Sequence, residues 1–441
     1  MYTFAFSIDR VAGRLWNDGI LEGPMKDTLV LIESNTSGTG RHFVAAARAL
    51  GLEPVLFAED LSRYPYVQED AVRVVRQSCV GDLDAIDARI DVLARESRIA
   101  GIYTSSEYFL DVAADLARRR GLPGADPAAI RTCRDKWKQR LALQAAGVQM
   151  PAFALAHTPD EALQALDVLP LPVVVKPTQG TGSSGVRLCL RRSDVETHAA
   201  SLLAIRANER GMPVPQEVLI EEYVSWPEFS AELFNLELLG VTRKHVSPEP
   251  YFVEVGHDFP VVLNGAVPNG AAPADAGESI ADALRRALRA VDLCWGPAHV
   301  EFRWTGDRYA LMEINPRLAG GFIPELVRIA TGVDAIAATI AQATGRAPEI
   351  RQTKHDHASI RFICPRLEGR IEAFRGLEQA ASLDGVVDVR MYRKPHERFV
   401  IHHDFRDRIG HVVARGENER AAREAAVAAQ ALIEVHLTDA N

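Results

Sequence analysis

The sequence predicts an α/β domain followed by α+β domains. Between residues 28 and 120, short apolar strand patterns alternate with helical patterns, which is typical of a parallel sheet covered by helices. After a Pro/Gly-rich break at 121–129, strand patterns follow one another with few helices between them, which indicates antiparallel pairing. At 441 residues the chain is too long for one hydrophobic core, so several domains are expected.

The N-terminal elements follow from local patterns. TLVLIE (28–33) predicts a strand, SNTSGTG (34–40) a loop, and RHFVAAARALG (41–51) a helix with Gly51 at its C-terminal end. The same patterns predict the next elements: strand 53–59, helix 83–97, strand 99–105 and helix 107–120. Residues 1–24 lack a regular pattern and are interpreted as an extension, which leaves 25–125 as a Rossmann-like parallel domain.

After the break the predicted elements are mostly strands. They are a helix near 128–146, strands 168–177, 186–192, 218–224, 228–239 and 298–304, and helices 277–292 and 323–345. A smaller β/α piece begins near residue 350 and ends in a helix at 416–436. We therefore divide this part of the chain into three units, 126–205, 206–348 and 349–441.

Composition restricts the class of protein. With 47% hydrophobic and 25% charged residues and no long apolar run, the chain is expected to be a globular protein outside the membrane. The five cysteines form no CxxC pair and the N-terminus has no signal-peptide pattern, which together favour reduced thiols and a cytoplasmic location. A net charge of -9 argues against nucleic acid as the main partner.

A glycine-rich loop contains the string GxGxxG at Gly180, Gly182 and Gly185. A dinucleotide site needs a helix directly after this string, but the next residues alternate like a strand. The loop is therefore predicted to join two strands as a flap over phosphates, with Lys176 placing a positive charge beside them. The alternative is a surface hairpin with a solvated lysine. A P-loop is excluded, because GxxxxGK[ST] does not occur.

Two acidic residues are predicted to face each other on a strand pair. HVEFRW (299–304) and YALMEIN (309–315) form a hairpin by pattern, with a turn at Gly306 and Asp307. That register places Glu301 opposite Glu313 and His299 opposite Asn315. Opposed carboxylates repel each other, so a hard cation such as Mg²⁺ is the natural ligand for Glu301, Glu313 and the Asn315 amide. The alternative is a solvent-exposed face with hydrated acids.

The order of these motifs resembles the ATP-grasp superfamily over roughly residues 25–440. The motifs are Lys136, VVVKP, GTGSSG, the stretch 221–224, Pro227-Glu228, HVEF and Met312-Glu-Ile-Asn-Pro-Arg317. The chain is most similar to the carboxylate–amine ligase branch that includes the L-amino acid ligases, which the opening SNTSGTGR also resembles. The resemblance implies an ATP-grasp fold with a two-lobed nucleotide-binding region, in which 126–205 is lobe A and 206–348 is lobe B.

The resemblance implies ATP and Mg²⁺ as cofactors, with Mn²⁺ as an alternative ion. The residues it assigns to the nucleotide are Lys136 and Lys176 at the phosphates, Gly180, Thr181, Gly182, Ser183, Ser184 and Gly185 in the lid, Glu221, Glu222, Tyr223 and Val224 at the adenine, and Glu228 at the ribose. Glu301, Glu313 and Asn315 are the implied metal ligands.

Three further residues are assigned to the chemistry. Arg317 follows the metal strand and is expected to steady the transferred phosphoryl group or the tetrahedral intermediate. By resemblance, Glu254 holds a substrate ammonium group and His257 contacts a carboxylate or acyl phosphate. Arg303, directly after HVEF, has no assigned role.

The predicted reaction joins a small carboxylic acid to an amine through an acyl phosphate, and related enzymes are often homodimers. One alternative keeps the fold but uses a thiol, or bicarbonate as in biotin carboxylases. A second is a nicotinamide-dependent oxidoreductase with 34–40 as its phosphate loop and acids at Glu59 and Asp60. In that alternative, Phe43 replaces the third glycine.

Overall fold

The computed structural model describes residues 25–36, 39–263, 279–305 and 308–438. The predicted extension 1–24 and the predicted turn at Gly306 and Asp307 lie outside the described residues. The predicted fold class is confirmed, because a parallel sheet at the N-terminus is followed by antiparallel sheets.

The N-terminal domain is a four-stranded parallel sheet with strand order β3-β2-β1-β4. Its elements are β1 (Asp27–Ile32), α1 (Thr39–Ala49), β2 (Glu53–Phe57), α2 (Tyr66–Glu69), β3 (Arg73–Val75), α3 (Leu83–Ala94), β4 (Arg98–Tyr103) and α4 (Leu110–Arg119). The predicted strands and helices are confirmed here. The sequence analysis missed α2 and β3, because four and three residues are too few to show a period.

Lobe A is a four-stranded antiparallel sheet with strand order β5-β8-β6-β7. Its last strand in chain order covers 218–222, so we assign residues up to the end of the stretch 221–224 to lobe A, beyond the boundary predicted at residue 205. Its elements are α5 (Pro127–Arg134), α6 (Lys136–Ala145), β5 (Phe153–Ala156), α7 (Pro159–Gln164), β6 (Val173–Pro177), β7 (Arg187–Cys189), α8 (Arg192–Leu203) and β8 (Val218–Glu222). The single helix predicted near 128–146 is wrong. Asp135 leaves the helical conformation, and its carboxylate accepts a hydrogen bond from the Lys138 backbone N–H at 3.1 Å. Lys136 therefore starts a new helix.

Lobe B is built from long antiparallel strands with helices on both faces of the sheet. Its elements are β9 (Glu228–Phe234), β10 (Glu237–Val246), β11 (Glu254–Phe259), α9 (Ile280–Ala290), β12 (Pro297–Trp304), β13 (Tyr309–Asn315), α10 (Ile323–Thr331) and α11 (Ala335–Ala343). The strand predicted at 228–239 is wrong, because Asn235 and Leu236 have φ of 48° and 68° and form a turn there. The helix predicted at 323–345 is interrupted at Gly332, whose φ is 79°.

The C-terminal residues extend the sheet of lobe B. Their elements are β14 (His357–Ile363), β15 (Gly369–Arg375), α12 (Leu377–Ala381), β16 (Val386–Met391), β17 (Arg398–Phe399), β18 (Gly410–Gly416), α13 (Glu419–Ala431) and β19 (Glu434–Thr438). The large sheet has the order β13-β12-β9-β10-β11-β14-β18-β16, and so it continues across residue 349. The predicted final helix 416–436 is wrong at both ends, because β18 reaches Gly416 and β19 begins at Glu434.

One face of β12 and β13 packs into the largest hydrophobic core. Val300, Phe302 and Leu311 are fully buried there, together with Leu284 and Leu288 of α9. Burying a side chain of this size stabilises the fold by about 1.5–3 kcal/mol. Because neighbouring residues of a strand point to opposite faces, this core turns Glu301 away from α9.

The described helices were also compared with the length and apolar composition of a membrane span. No single helix in the described ranges meets these requirements. By length and composition alone, α10 and α11 meet them as a pair, bent by 104° at the break between them.

Candidate active site

The predicted register of the acidic strand pair is confirmed. Glu301 lies opposite Glu313 and His299 lies opposite Asn315. The pairing then shifts by one residue, because Phe302 lies opposite Leu311. A residue is therefore left over on β13 beside the two acids, as in a β-bulge. The glutamate side chains are 22% and 20% exposed and so are open to a ligand.

A buried lysine that the sequence analysis missed lies at the centre of lobe B. The Nζ atom of Lys244 lies 3.0 Å from Glu228, 2.6 Å from Glu254 and 3.1 Å from Glu301. Burial alone would lower the pKa of Lys244, but the charges of these three carboxylates outweigh it and raise that pKa well above the ordinary lysine value. In the sequence, Lys244 looks like any polar residue in an alternating strand. Its role depends on three other strands that only the fold places around β10.

His299 links the acidic pair to a second buried carboxylate. Its ring nitrogens lie 3.0 Å from Glu232 and 3.1 Å from Glu301. Burial would lower the pKa of His299, but the charges and hydrogen bonds of the two glutamates raise it to about 9. The imidazolium and Lys244 together hold the pKa of Glu301 far below its ordinary value despite its burial.

The structure brings Glu254 and His257 together. The Nε2 atom of His257 lies 3.2 Å from a Glu254 carboxylate oxygen, and its Nδ1 atom lies 3.1 Å from the Gly321 carbonyl oxygen. His257 is fully buried, and burial lowers its pKa. The structure thus places His257 behind Glu254. A direct contact between His257 and a substrate stays a prediction, whereas the contact between His257 and Glu254 is present in the structure.

In lobe A, two cations share one buried carboxylate. The Nζ atom of Lys176 lies 2.6 Å from Glu221, and Arg140 donates a hydrogen bond from Nε to the other carboxylate oxygen at 2.7 Å. Burial, together with the charges of Arg140 and Lys136, lowers the pKa of Lys176 although Glu221 raises it. Because the Glu221 side chain is fully buried between two cations, the backbone of 221–224 is better placed than this carboxylate to meet a base.

Arg303 connects the stretch 221–224 to the predicted ribose residue. It contacts Glu228 at 2.9 Å and donates a hydrogen bond to the Val224 carbonyl oxygen. Its guanidinium lies 5.8 Å from the ring centre of Tyr223 and 5.6 Å from that of Phe252. The residue without an assigned role in the sequence therefore joins lobe A to lobe B.

The glycine-rich loop joins two antiparallel strands, β6 and β7, as predicted. Gly180, Gly182 and Gly185 have φ of 152°, 65° and 73°, which L side chains rarely adopt. Lys136 donates a hydrogen bond to the Gly180 carbonyl oxygen at 3.2 Å and lies 3.0 Å from Glu313. One lysine thus contacts both the lid and the acidic pair.

Arg317 contacts both the N-terminal domain and the lid. Its Nε donates a hydrogen bond to Glu107 at 2.6 Å, and its Nη2 donates one to the Thr181 hydroxyl at 3.3 Å. Burial would raise the pKa of Glu107, but Arg317 and the nearby cations lower it. The sequence analysis missed Glu107, although it follows β4 at the edge where the carboxyl ends of parallel strands meet. Such edges commonly bind ligands.

The donor atoms at the acidic pair suit a hard cation. Glu301, Glu313 and Asn315 offer only oxygen ligands, which is the set that Mg²⁺ prefers. Among the residues described, no group of three or more His, Cys, Asp or Glu side chains is arranged to hold a metal ion by itself. A divalent cation at this site would therefore need ligands from a bound molecule as well.

Three segments of the chain match known protein families. Residues 44–124 match the ATP-grasp N-terminal domain, residues 169–325 match the ATP-grasp domain, and residues 361–438 match the L-amino acid ligase C-terminal domain 2.

Several curated proteins are similar in sequence. The chain is 35% identical to the uncharacterized protein y4rH of Sinorhizobium fredii, over 90% of this chain and 80% of that protein. It is 30% identical to carnosine synthase 1 of Gallus gallus, over 53% of this chain and 26% of that protein. It is 27% identical to alanine–anticapsin ligase of Bacillus amyloliquefaciens, over 58% of this chain and 53% of that protein. The match therefore spans only a quarter to about half of these two relatives with named activities.

Solved structures share the fold at low sequence identity. An L-amino acid ligase from Bacillus licheniformis superimposes with a TM-score of 0.74 at 22% identity, over 95% of this chain and 100% of that one. The biotin carboxylase domain of a Hydrogenobacter thermophilus 2-oxoglutarate carboxylase, in complex with MgADP and bicarbonate, gives 0.68 at 16% identity, over 94% and 92%.

Proposed function

The chain belongs to the ATP-grasp family, in the group that has the L-amino acid ligase C-terminal domain, and from this premise we propose that it is an ATP-dependent carboxylate–amine ligase. The carboxylate oxygen of one substrate attacks the γ-phosphorus of ATP, and ADP leaves. The amine nitrogen of a second substrate attacks the acyl carbon, loses a proton and expels phosphate, so that an amide forms. One observation supports this most strongly: an oxygen-donor pair, Glu301 and Glu313, lies beside Lys136 and its glycine-rich lid.

The nucleotide would lie between the lobes. Lys136 and Lys176 meet the phosphates, the backbone of 180–185 covers them, 221–224 borders the adenine and Glu228 meets the ribose. The Thr178 hydroxyl, at the start of the lid, is buried and has no hydrogen-bond partner among the described residues. Because a buried hydroxyl without a partner is costly, this donor supports a polar ligand next to the lid.

Glu301, Glu313 and Asn315 would hold Mg²⁺, which supplies positive charge to the phosphates during transfer. Lys136 and Lys244 now contact these two carboxylates, and both lysines are nearly fully buried. A site whose acids already have cationic partners keeps its fold stable before substrates bind, because unpaired buried charges are costly.

In this reaction the protein mainly positions the substrates and stabilises developing charge. Arg317 stabilises negative charge on the transferred phosphoryl group or on the tetrahedral intermediate, which suits a planar guanidinium. Glu254 accepts the ammonium group of an amino acid, and His257 orients that carboxylate from behind. The lid excludes water, which would hydrolyse the acyl phosphate.

An amine is favoured over a thiol or bicarbonate as second substrate for two reasons. The C-terminal region matches the L-amino acid ligase domain, and Glu254 offers a carboxylate for an ammonium group. The nicotinamide-dependent oxidoreductase is disfavoured, because residues 44–124, which follow loop 34–40 in the same domain, match the ATP-grasp N-terminal family. The proposal includes a cytoplasmic homodimer that acts on small molecules.

A pairwise screen tests this proposal. The protein is incubated with MgATP and pairs drawn from amino acids and small organic acids, ADP is measured by a coupled assay, and products are identified by mass spectrometry. ADP release that requires an acid–amine pair, with an amide of matching mass, is expected. Release that requires a thiol or bicarbonate instead would contradict it.

The metal assignment has its own test. Glu313→Gln removes the charge of one predicted metal ligand at constant size, so ADP formation should fall by at least about 10³-fold while circular dichroism stays unchanged. The matched control is Glu237→Gln, an exposed carboxylate at the start of β10, which should behave like the wild type. Near-normal turnover of Glu313→Gln would refute the assignment.

A further inference from the structure

One segment of the C-terminal region lies over the active site. Residues 402–408, which we call the latch segment, lie between β17 and β18 and contact the lid, the stretch 248–253 and Glu254. Resting on the proposed function, we propose that the latch segment holds the lid closed over the acyl phosphate and fixes Glu254 for the amine. The intermediate then reacts with the amine in preference to water.

The latch segment is organised by its own side chains. The Asp407 carboxylate accepts hydrogen bonds from the backbone N–H groups of His402 and His403 at 2.7 and 2.9 Å. Asp404 accepts one from the Arg406 backbone at 2.9 Å, and both aspartates are buried. Such local bonds set the conformation of a turn without help from a ligand.

Phe405 lies directly on the lid. A Cβ atom on Gly182 would come within 2.6 Å of Phe405 Cδ1, closer than real Cβ contacts allow. Gly182 also has a φ of 65°, so a glycine is required there both for the backbone and for the ring. The aromatic ring thus covers the middle glycine of GTGSSG, a position that has no side chain of its own to pack.

The lid and the latch segment also meet the same neighbouring stretch. The Ser183 hydroxyl donates a hydrogen bond to the Phe252 carbonyl oxygen at 3.1 Å. The rings of His403 and Tyr251 stack with their centres 3.8 Å apart and their planes 8° apart. Opening the lid would therefore break its contacts with Phe405 and Phe252 as well as those with Lys136 and Arg317, while the stretch 248–253 stays held by the latch segment.

Arg408 connects this closure to substrate recognition. It donates one hydrogen bond from Nε to the Glu254 carbonyl oxygen at 2.9 Å and contacts the Glu254 carboxylate with Nη2 at 2.8 Å. The other Glu254 oxygen faces Lys244. Arg408 is therefore a positioning residue that sets the direction of a carboxylate assigned to the substrate ammonium group.

The lid contact is tested with Phe405→Ala, with Phe405→Leu as a conservative variant and His402→Ala as a matched control. The His402 side chain is exposed, and its alanine variant keeps the backbone bond to Asp407. Hydrogen–deuterium exchange of 178–185 is measured with Mg²⁺ and a non-hydrolysable ATP analogue. Exchange should be at least about threefold faster in Phe405→Ala than in the wild type and the control, with Phe405→Leu between them.

The functional readout is the ratio of amide formed to ADP released. Water that reaches the acyl phosphate forms carboxylate and phosphate, so ATP is consumed without product. The ratio should fall at least about threefold in Phe405→Ala while ADP release continues. Unchanged lid exchange or an unchanged ratio in both Phe405 variants would overturn the latch, whereas the proposed function would stand as long as ADP release needs an acid–amine pair.

Arg408 is tested separately with Arg408→Lys, which keeps the charge but loses the fork of two contacts. We expect the KM for the amine to rise at least about tenfold, with kcat and nucleotide affinity changed much less. If Arg408 had only a structural role, the variant would lose stability, but the KM for the amine would not rise more than kcat and nucleotide affinity change. An unchanged KM for the amine would remove Arg408 from the proposal.

Discussion

Two buried charge clusters, one in each lobe, differ in the groups that surround their lysine. In the lobe A cluster, Arg140 and Lys176 share the single carboxylate of Glu221. In the lobe B cluster, Lys244 contacts the three carboxylates of Glu228, Glu254 and Glu301. Each of these carboxylates also has one further cationic partner, which is Arg303, Arg408 or His299. Burial disfavours the charge of both lysines, yet the pKa of Lys176 is lowered and that of Lys244 is raised.

The difference shows how one cleft can accept ligands of both signs. Lys176 has one carboxylate shared with a second cation, an arrangement that suits an anion such as a phosphate, whereas Lys244 is surrounded by three carboxylates, an arrangement that suits exchange with a metal ion or an ammonium group. Charges inside a protein interact more strongly than charges in water, so each arrangement favours its own ligand. The polarity of the cleft, rather than any single residue, matches a reaction between ATP and an amine.

The largest expected effect is on the lobe B cluster. Lys244→Met removes a buried cation that three partly buried carboxylates share, so the free energy of unfolding should fall by about 3–5 kcal/mol. Chemical denaturation measures this, with the exposed Lys394→Met as control. A loss below about 1 kcal/mol would mean that Arg303, His299 and Arg408 already satisfy these carboxylates, and the contrast between the two clusters would disappear.

A smaller effect is expected for Lys176→Ala. Removal of one cation leaves Glu221 paired with Arg140, so stability should change less than in Lys244→Met. Nucleotide affinity should fall by about 1.5–3 kcal/mol, which is roughly 10- to 150-fold, because a charged hydrogen bond to phosphate is lost. Isothermal titration calorimetry with Mg²⁺ and a non-hydrolysable ATP analogue measures this affinity, and Lys394→Ala, at an exposed lysine, is the control. Unchanged affinity would count against a phosphate site in lobe A.

A carboxylate outside both clusters, Asp258, provides a further comparison. Asp258 contacts His245 at 2.7 Å and Arg361 at 2.9 Å, and these partners lower its pKa although burial raises it. A lowered pKa in the folded state stabilises the protein above the ordinary aspartate value, about 3.9, and this contribution is lost as the pH falls below it.

The test is the stability of Asp258→Asn as a function of pH. The wild type should exceed the variant by about 1–2 kcal/mol at pH 7, and the difference should shrink between about pH 4 and the acid limit. Denaturant titrations at several pH values measure this, and nucleotide affinity should be the same in both proteins. A difference in stability that is constant with pH would show that the charge of Asp258 contributes nothing.

The smallest expected effect concerns nucleotide binding in His257→Ala. This histidine contacts Glu254 and Gly321 but no residue of the lobe A cluster, so the nucleotide affinity should stay within about twofold of the wild type. The yield of amide per ADP should fall, because Glu254 loses a group that orients it. Identical product yield would remove His257 from the site, and a large loss of nucleotide affinity would show that the clusters are coupled.

Local patterns were sufficient for much of the fold and for the acidic pair. The opposition of Glu301 and Glu313 was predicted from a turn centred near residue 307, and in the structure the one-residue shift beside the two acids produces it. The errors fall at Asp135 and at Asn235-Leu236, where one capping carboxylate and one two-residue turn override a continuous pattern. Such signals are weaker than the hydrophobic periodicity around them.

By itself, the sequence determined the alternation of strands and helices in the N-terminal domain and the pairing of β12 with β13, because these depend on local periodicity. The order of its motifs indicated the family by resemblance. Only the tertiary structure decided which charges meet. Lys244 gains its three carboxylates from β9, β11 and β12, Arg317 gains Glu107 from another domain, and the lid gains Phe405 from more than 200 residues away in the chain. These contacts depend on how sheets and domains pack, and no local pattern encodes the charge that a distant strand will supply.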